Sequence, residues 1–129
     1  MTSSIRPAAT VILMREIDEG GFEIFLVKRS SRSSFGNLYV FPGGKLDLED
    51  SSEDLYEYCE DMDDAEASKK LGIKSDGLSY WMACVRECFE EVGVLLINPN
   101  DLLTQNTEKL NHLRKELNSK KITFKDICV

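Results

Sequence analysis

Apolar positions run almost unbroken from Ala8 to Met14. After the polar link Asp18-Glu19-Gly20-Gly21 they return in alternation from Phe22 to Val27. This pattern predicts two strands joined as a hairpin, with the glycines adopting turn conformations that a Cβ resists. A basic, hydroxyl-rich loop follows, Lys28-Arg29-Ser30-Ser31-Arg32-Ser33-Ser34, and then a short strand, Leu38 to Phe41, running into Pro42-Gly43-Gly44. From Asp47 to Lys74 the apolar positions thin out, which predicts partial helix around Ser52 to Tyr58 and loose packing elsewhere. Helical spacing is clear in the next segment, Leu78 to Val92, where Met82, Val85, Phe89 and Val92 recur at i, i+3, i+7 and i+10. Gly93 ends that helix, and Val94 to Ile97 reads as a buried strand. Beyond Asn98-Pro99-Asn100-Asp101, the residues Leu102, Leu103, Leu110, Leu113 and Leu117 describe a second amphipathic helix, and Thr123 to Val129 begins a short final one.

Composition narrows this picture. At 129 residues, 42% hydrophobic and 30% charged, the chain fits one globular domain with a real core. The formal charge is −7, and it is concentrated: eleven of the 23 acids lie between Asp47 and Glu66, where there is no base, while the rest of the chain carries more bases than acids. The acidic balance counts against a nucleic-acid backbone or an anionic membrane as the main partner. Cys59, Cys84, Cys88 and Cys128 contain no C-x-x-C pair, so reduced thiols and an intracellular compartment are expected. No signal peptide or other targeting signal is evident, and the apolar runs fall far short of the ~20 residues of a membrane helix. The single histidine, His112, lies on a polar helical stretch and reads as surface. Trp81 and Phe89 read as core.

Chemistry is concentrated on the Leu78–Val92 helix. Glu87, Glu90 and Glu91 stand at i, i+3 and i+4, so their carboxylates share one face, away from the apolar face that begins at Met82. Like charges at this spacing repel by roughly 0.2–0.5 kcal/mol per pair. A divalent cation converts that repulsion into coordination, and oxygen-only ligands suit Mg²⁺ or Mn²⁺. On spacing alone the simpler account is a solvated helix face with Arg86 paired to Glu90.

The wider context adds a resemblance. Phe41-Pro42-Gly43-Gly44, then Asp50, then Arg86-Glu87-Cys88-Phe89-Glu90-Glu91-Val92-Gly93-Val94 resembles the Nudix hydrolase signature. Gly44 matches the first glycine of that signature, and Arg86, Glu87, Glu90, Glu91, Gly93 and Val94 match its second half. There are three departures. Cys88 replaces an aliphatic residue, which a thiol acting as a small hydrophobe tolerates. Asp50 stands where Glu is usual. The gap from Asp50 to Arg86 is 35 residues where the family has 7, so an acidic insertion occupies about residues 51–78. An interrupted motif of this kind is similar to the coenzyme A and acyl-coenzyme A diphosphatase branch. Leu26-Val27-Lys28-Arg29-Ser30-Ser31 with Gly36 loosely fits that branch's upstream extension.

The resemblance implies an α/β chain, a Nudix-type α/β/α sandwich around a mixed sheet, forming a single domain over 1–129 that is incomplete at its C-terminus. It implies metal-dependent hydrolysis of a diphosphate linkage in a small coenzyme A-like substrate, with Mg²⁺ or Mn²⁺ as cofactor. Glu90 and Glu91 would be metal ligands and Glu87 a third ligand or a water-orienting base, the three together being the catalytic set. Arg86 would orient a glutamate, Gly43 and Gly44 would form a tight turn beside the substrate, and Gly93 would serve the motif's structure. Lys28, Arg29 and Arg32 are candidates for a substrate phosphate, with a solvated basic loop as the equal alternative. Other substrates stay open: a sugar nucleotide, a dinucleoside polyphosphate or an RNA cap, the last being the only nucleic acid in view. A truncated, non-catalytic fragment is the third reading. No membrane partner is expected. Cytoplasm, peroxisome and mitochondrion remain open as compartments, and the sequence does not set an oligomeric state.

Overall fold

The computed structural model describes residues 4–32, 36–98, 100 and 106–129. Parts of two sequence expectations, at Ser33 and Ser34 and at Leu102 and Leu103, lie outside the described residues. The order of elements is β1 (Ala8–Thr10), β2 (Met14–Glu16), β3 (Phe22–Ile24), β4 (Val27–Lys28), β5 (Tyr39–Val40), β6 (Gly43–Lys45), a 3-10 turn at Leu48–Ser51, then α1 (Glu53–Tyr56), α2 (Asp64–Leu71), α3 (Leu78–Val92), α4 (Thr107–Asn118) and α5 (Phe124–Cys128). The chain therefore mixes helices with small antiparallel sheets, β1 with β6, β2 with β3 and β4 with β5.

The run from Ala8 to Met14 does not form one strand. It changes partner: Thr10 lies opposite Gly43 while Met14 lies opposite Ile24. Val11 donates to the Pro42 carbonyl and Phe25 to the Leu13 carbonyl, so backbone pairing continues through the switch. The β2–β3 hairpin forms as expected. Arg15 and Glu23 sit directly opposite each other and pair at 2.6 Å, and Gly20 takes a left-handed φ of 79° in the turn. The apolar side chains of these strands stay largely exposed, among them Met14, Phe22, Ile24, Phe25 and Leu26.

The core lies among the helices. Leu55, Met82, Phe89, Leu117, Phe124 and Ile127 form one buried cluster, with Val85, Leu95, Leu110 and Leu113 packed against it. Fully burying each such side chain contributes about 1.5–3 kcal/mol. Thr123 opens α5 with a capping box to Asp126, and Lys125 pairs with Asp54 at 2.7 Å, so α5 is fastened to α1.

Two expectations need correcting. Val94 to Ile97 is not a strand; it is a half-buried irregular segment whose Leu95 packs on the helical core, and no strand pairs with it among the described residues. The insertion is also not loose. Its helix α2 buries Ala67 and Ser68 against α3, and a Cβ at Gly77 would run into the Ser68 backbone. Ser68 Oγ accepts from the Gly77 amide at 2.8 Å, and Asp64 accepts from the amides of Asp76 and Leu78 at 3.0 Å each. The Leu78 amide is the first of α3, so the insertion satisfies one of the unpaired amides of its first turn. Among the described residues no helix is long and apolar enough to cross a membrane.

Candidate active site

Helix α3 is buried on two sides, and this places its chemistry. Met82 and Phe89 enter the helical core. A second face, carrying Ala83, Arg86 and Glu87, packs against β1, β6 and the Leu48–Ser51 turn. Cys88 is fully buried, as an aliphatic residue at that position would be, and burial pushes its thiol pKa up. Glu87 and Glu90 are therefore partly buried, while Glu91 at the end of the helix is exposed.

Arg86 organises the site. Only 3% exposed, it donates from Nε and Nη2 to the two carboxylate oxygens of Asp50 at 2.8 and 2.9 Å, a two-pronged pair with a residue that is itself completely buried. Nη2 also reaches the Lys45 carbonyl at 2.9 Å. Nη1 reaches Glu87 Oε1 at 3.1 Å and Glu90 Oε2 at 3.2 Å, with Asp47 Oδ2 at 3.7 Å. Burial works against the guanidinium charge, but the hydrogen bonds and charge of Asp50, with Glu87 and Glu90, more than offset it and hold Arg86 ionised. Asp50 is set by local structure: its carboxylate also accepts from the Asp47 amide at 2.8 Å, closing a capping box over the 3-10 turn. The motif's two halves, 35 residues apart in sequence, meet here.

The β1–β6 pair brings the glycines onto the same helix. A Cβ on Gly43 would run into the Ala9 carbonyl oxygen, and one on Gly44 would run into the Glu87 carboxylate. Glu91 Oε2 lies 3.5 Å from the Gly43 amide. Glu87, Glu90, Glu91, Gly43, Gly44 and Arg86 thus lie close together. Lys28, Arg29 and Arg32 sit on the separate β4–β5 hairpin and its connection, exposed, with Lys28 Nζ 5.9 Å from the Tyr39 ring centroid. His112 is exposed as expected, though Glu116 lies 3.8 Å away on the next turn.

The site's electrostatics are unbalanced. Burial pushes the Glu87 carboxyl above its ordinary range. Arg86 pulls it back, and Glu90 and Glu91 add to the rise. Burial does the same to Glu90, again opposed by Arg86 and reinforced by Asp47 and Asp50. Four carboxylates lie within 4 Å of one guanidinium, with Glu91 one turn-step away. That surplus of hard oxygen donors fits a divalent cation of the Mg²⁺ or Mn²⁺ type. Among the described residues, however, no three acidic, histidine or cysteine side chains stand ready as a metal cage. Glu87 and Glu90 are turned onto Arg86, and Glu91 lies toward Gly43.

Three contributors could not be singled out from the sequence. Asp47 is one acid among eleven in its segment. Arg114 and Asn118, on α4, donate to the carbonyls of Glu90 and Glu91. Sequence offers no signal for them, because their partners are backbone atoms more than twenty residues away.

No protein-family model matches the chain. Over a 139-residue alignment it is 28% identical to the acyl-coenzyme A diphosphatase NUDT19 of Xenopus laevis, taking in 83% of this chain and 37% of that protein. A crystal structure of a NUDIX hydrolase from Alicyclobacillus acidocaldarius superposes with a TM-score of 0.55 at 25% identity, covering 74% of this chain and 40% of that one. The chain spans about two fifths of the length of these relatives. The interrupted signature meets around Arg86, and both comparisons point the same way: the chain is similar in sequence and in fold to Nudix hydrolases.

Proposed function

We propose that the chain is a metal-dependent diphosphatase that hydrolyses the diphosphate linkage of coenzyme A or acyl-coenzyme A. The observation that carries this reading is the Arg86-centred cluster, which sets Glu87, Glu90 and Glu91 beside the Gly43-Gly44 backbone on one helix face. The substrate class rests on the acyl-coenzyme A diphosphatase to which the chain is similar. The action is assigned to an intracellular compartment.

Glu87, Glu90 and Glu91 are the residues that would hold Mg²⁺ or Mn²⁺. When bound, such an ion neutralises the diphosphate and lowers the pKa of the attacking water. The water oxygen bonds to one phosphorus in line with the bridging oxygen, and the bond to that bridging oxygen breaks. Where Glu87 does not itself hold the ion, it would be the base that orients the water and accepts the proton it loses. Two phosphate monoesters leave, which for coenzyme A are 3′,5′-ADP and 4′-phosphopantetheine. Arg86 touches no substrate: it is buried, and it sets the orientation of Glu87 and Glu90. Lys28, Arg29 and Arg32 are assigned to a phosphate of the substrate remote from the cleaved bond.

The test is Mg²⁺-dependent turnover of coenzyme A with product analysis, using Glu90→Gln as control. The two monoesters named above, and loss of turnover in the variant, support the reading. Turnover of a sugar nucleotide, a dinucleoside polyphosphate or a capped RNA in preference to coenzyme A would move the chain to another substrate class. Turnover unchanged by Glu90→Gln removes the site.

A further inference from the structure

The last turn of an α-helix has carbonyls with no intrahelical partner, and it is the turn most prone to fraying. In α3 this turn carries Glu90 and Glu91. Its carbonyls are not left to water. Arg114 donates from Nε to the Glu90 carbonyl at 3.0 Å and from Nη2 to the Glu91 carbonyl at 2.6 Å, and Asn118 Nδ2 adds a bond to the Glu90 carbonyl at 3.2 Å. The Arg114 side chain reaches them by crossing Gly93, where a Cβ would stand 3.4 Å from its Cδ. Gly93, with a left-handed φ of 75°, turns the chain away at this point and leaves the ends of the helix open to the guanidinium. A cation at this position also opposes the negative end of the helix dipole.

We propose that Arg114 is a positioning residue. Its fork, seconded by Asn118, locks the backbone of Glu90 and Glu91 and thereby fixes where their carboxylates can meet a divalent cation. The inference rests on the metal-site reading above and deepens it. Arg86 orients Glu87 and Glu90 from the side-chain end. Among the described residues the Glu91 side chain has only a long 3.5 Å contact to Gly43 there, so its placement depends most on its own backbone. A two-pronged planar donor is the group that can hold two successive carbonyls at once, which a lysine ammonium on a flexible stem cannot reproduce.

The experiment measures Mn²⁺ binding to the full chain by electron paramagnetic resonance, alongside urea unfolding. It compares the wild type with Arg114→Met, Arg114→Lys and Asn118→Ala. For Arg114→Met the expected result is Mn²⁺ affinity weakened about ten- to a hundredfold, the range found when partners that orient ligands are removed. Its urea midpoint should fall by under about 1 M. Arg114→Lys is expected to restore the midpoint and leave affinity impaired, and Asn118→Ala to weaken binding less than Arg114→Met. Folded Arg114→Met with wild-type affinity overturns the proposal, as does Arg114→Lys binding like the wild type, since charge alone would then suffice. A wild-type chain that takes up no Mn²⁺ overturns the metal-site reading itself, and the role of Arg114 with it.

Discussion

Replacing Asp50 by alanine removes both acceptors of the Arg86 fork and the acceptor of the Asp47 amide, and Asp50 and Arg86 are both buried. Stripping one partner from a buried ion pair costs about 3–5 kcal/mol, because the remaining charge is left without compensation. Here Arg86 keeps the Lys45 carbonyl, Glu87 and Glu90, so the lower end applies, about 3 kcal/mol. With a urea slope of roughly 1.5 kcal/mol per molar, the midpoint should fall by about 2 M at unchanged slope. Asp50→Glu, which restores the family's usual residue, should also destabilise. The 3-10 turn and its capping box are built for the shorter arm, and an added methylene in a packed site costs about 1–3 kcal/mol. Replacing the pair together, Asp50→Leu with Arg86→Met, should cost less than Asp50→Ala alone. A midpoint shift under about 0.5 M for Asp50→Ala, or a double variant as damaged as the sum of the singles, would refute Arg86–Asp50 as the joint between the motif's halves.

Three further outcomes follow from the same geometry. Gly44→Ala displaces the Glu87 carboxylate, which is the mobile end of a side chain, so turnover should drop while the urea midpoint moves little. A loss of folding with no change in turnover per folded molecule would contradict that. Gly93→Ala forces a Cβ into a left-handed residue at the end of α3 and should cost about 1–2 kcal/mol, read as a lowered urea midpoint. In α5, hydrogen bonds from the Thr123 backbone and hydroxyl hold the Asp126 carboxyl below its ordinary range, and Lys125 does the same to Asp54. Acids with lowered folded-state pKa values contribute stability that is present above 3.8 and lost as pH falls through the folded values. Thermal stability should therefore decline in that acid range, and Asp126→Asn should flatten the decline. An unchanged acid limb in the variant would remove α5 docking as its source.

The parts of the chain legible in sequence were those where one signal sufficed. The period of Met82, Val85, Phe89 and Val92 gave α3 with its observed bounds, and Gly93 marked its end because few other residues tolerate that backbone. Glu87, Glu90 and Glu91 were legible because a helix puts i, i+3 and i+4 on one face. The failures share a cause. Whether Val94 to Ile97 pairs as a strand depends on a neighbour in space, and here Leu95 goes to the helical core instead. The run from Ala8 to Met14 has one composition but two pairing partners, and hydrophobic pattern alone does not record where a strand changes partner.

The insertion is where a local reading misleads most. Its acids look like a solvated excursion that happens to interrupt a motif, and most of its polar side chains do face water. Yet Asp64 caps the first turn of α3, Ser68 closes on Gly77, and Leu55 enters the core beside Met82 and Phe89. Asp50, just before the insertion, and Arg86, in the middle of α3, then pair at 2.8 and 2.9 Å. An excursion with both ends fixed in this way need not loosen the helix that carries the glutamates. It begins α3 through Asp64, as Arg114 ends it, so the glutamate-bearing helix is held at both termini by segments that the signature does not include.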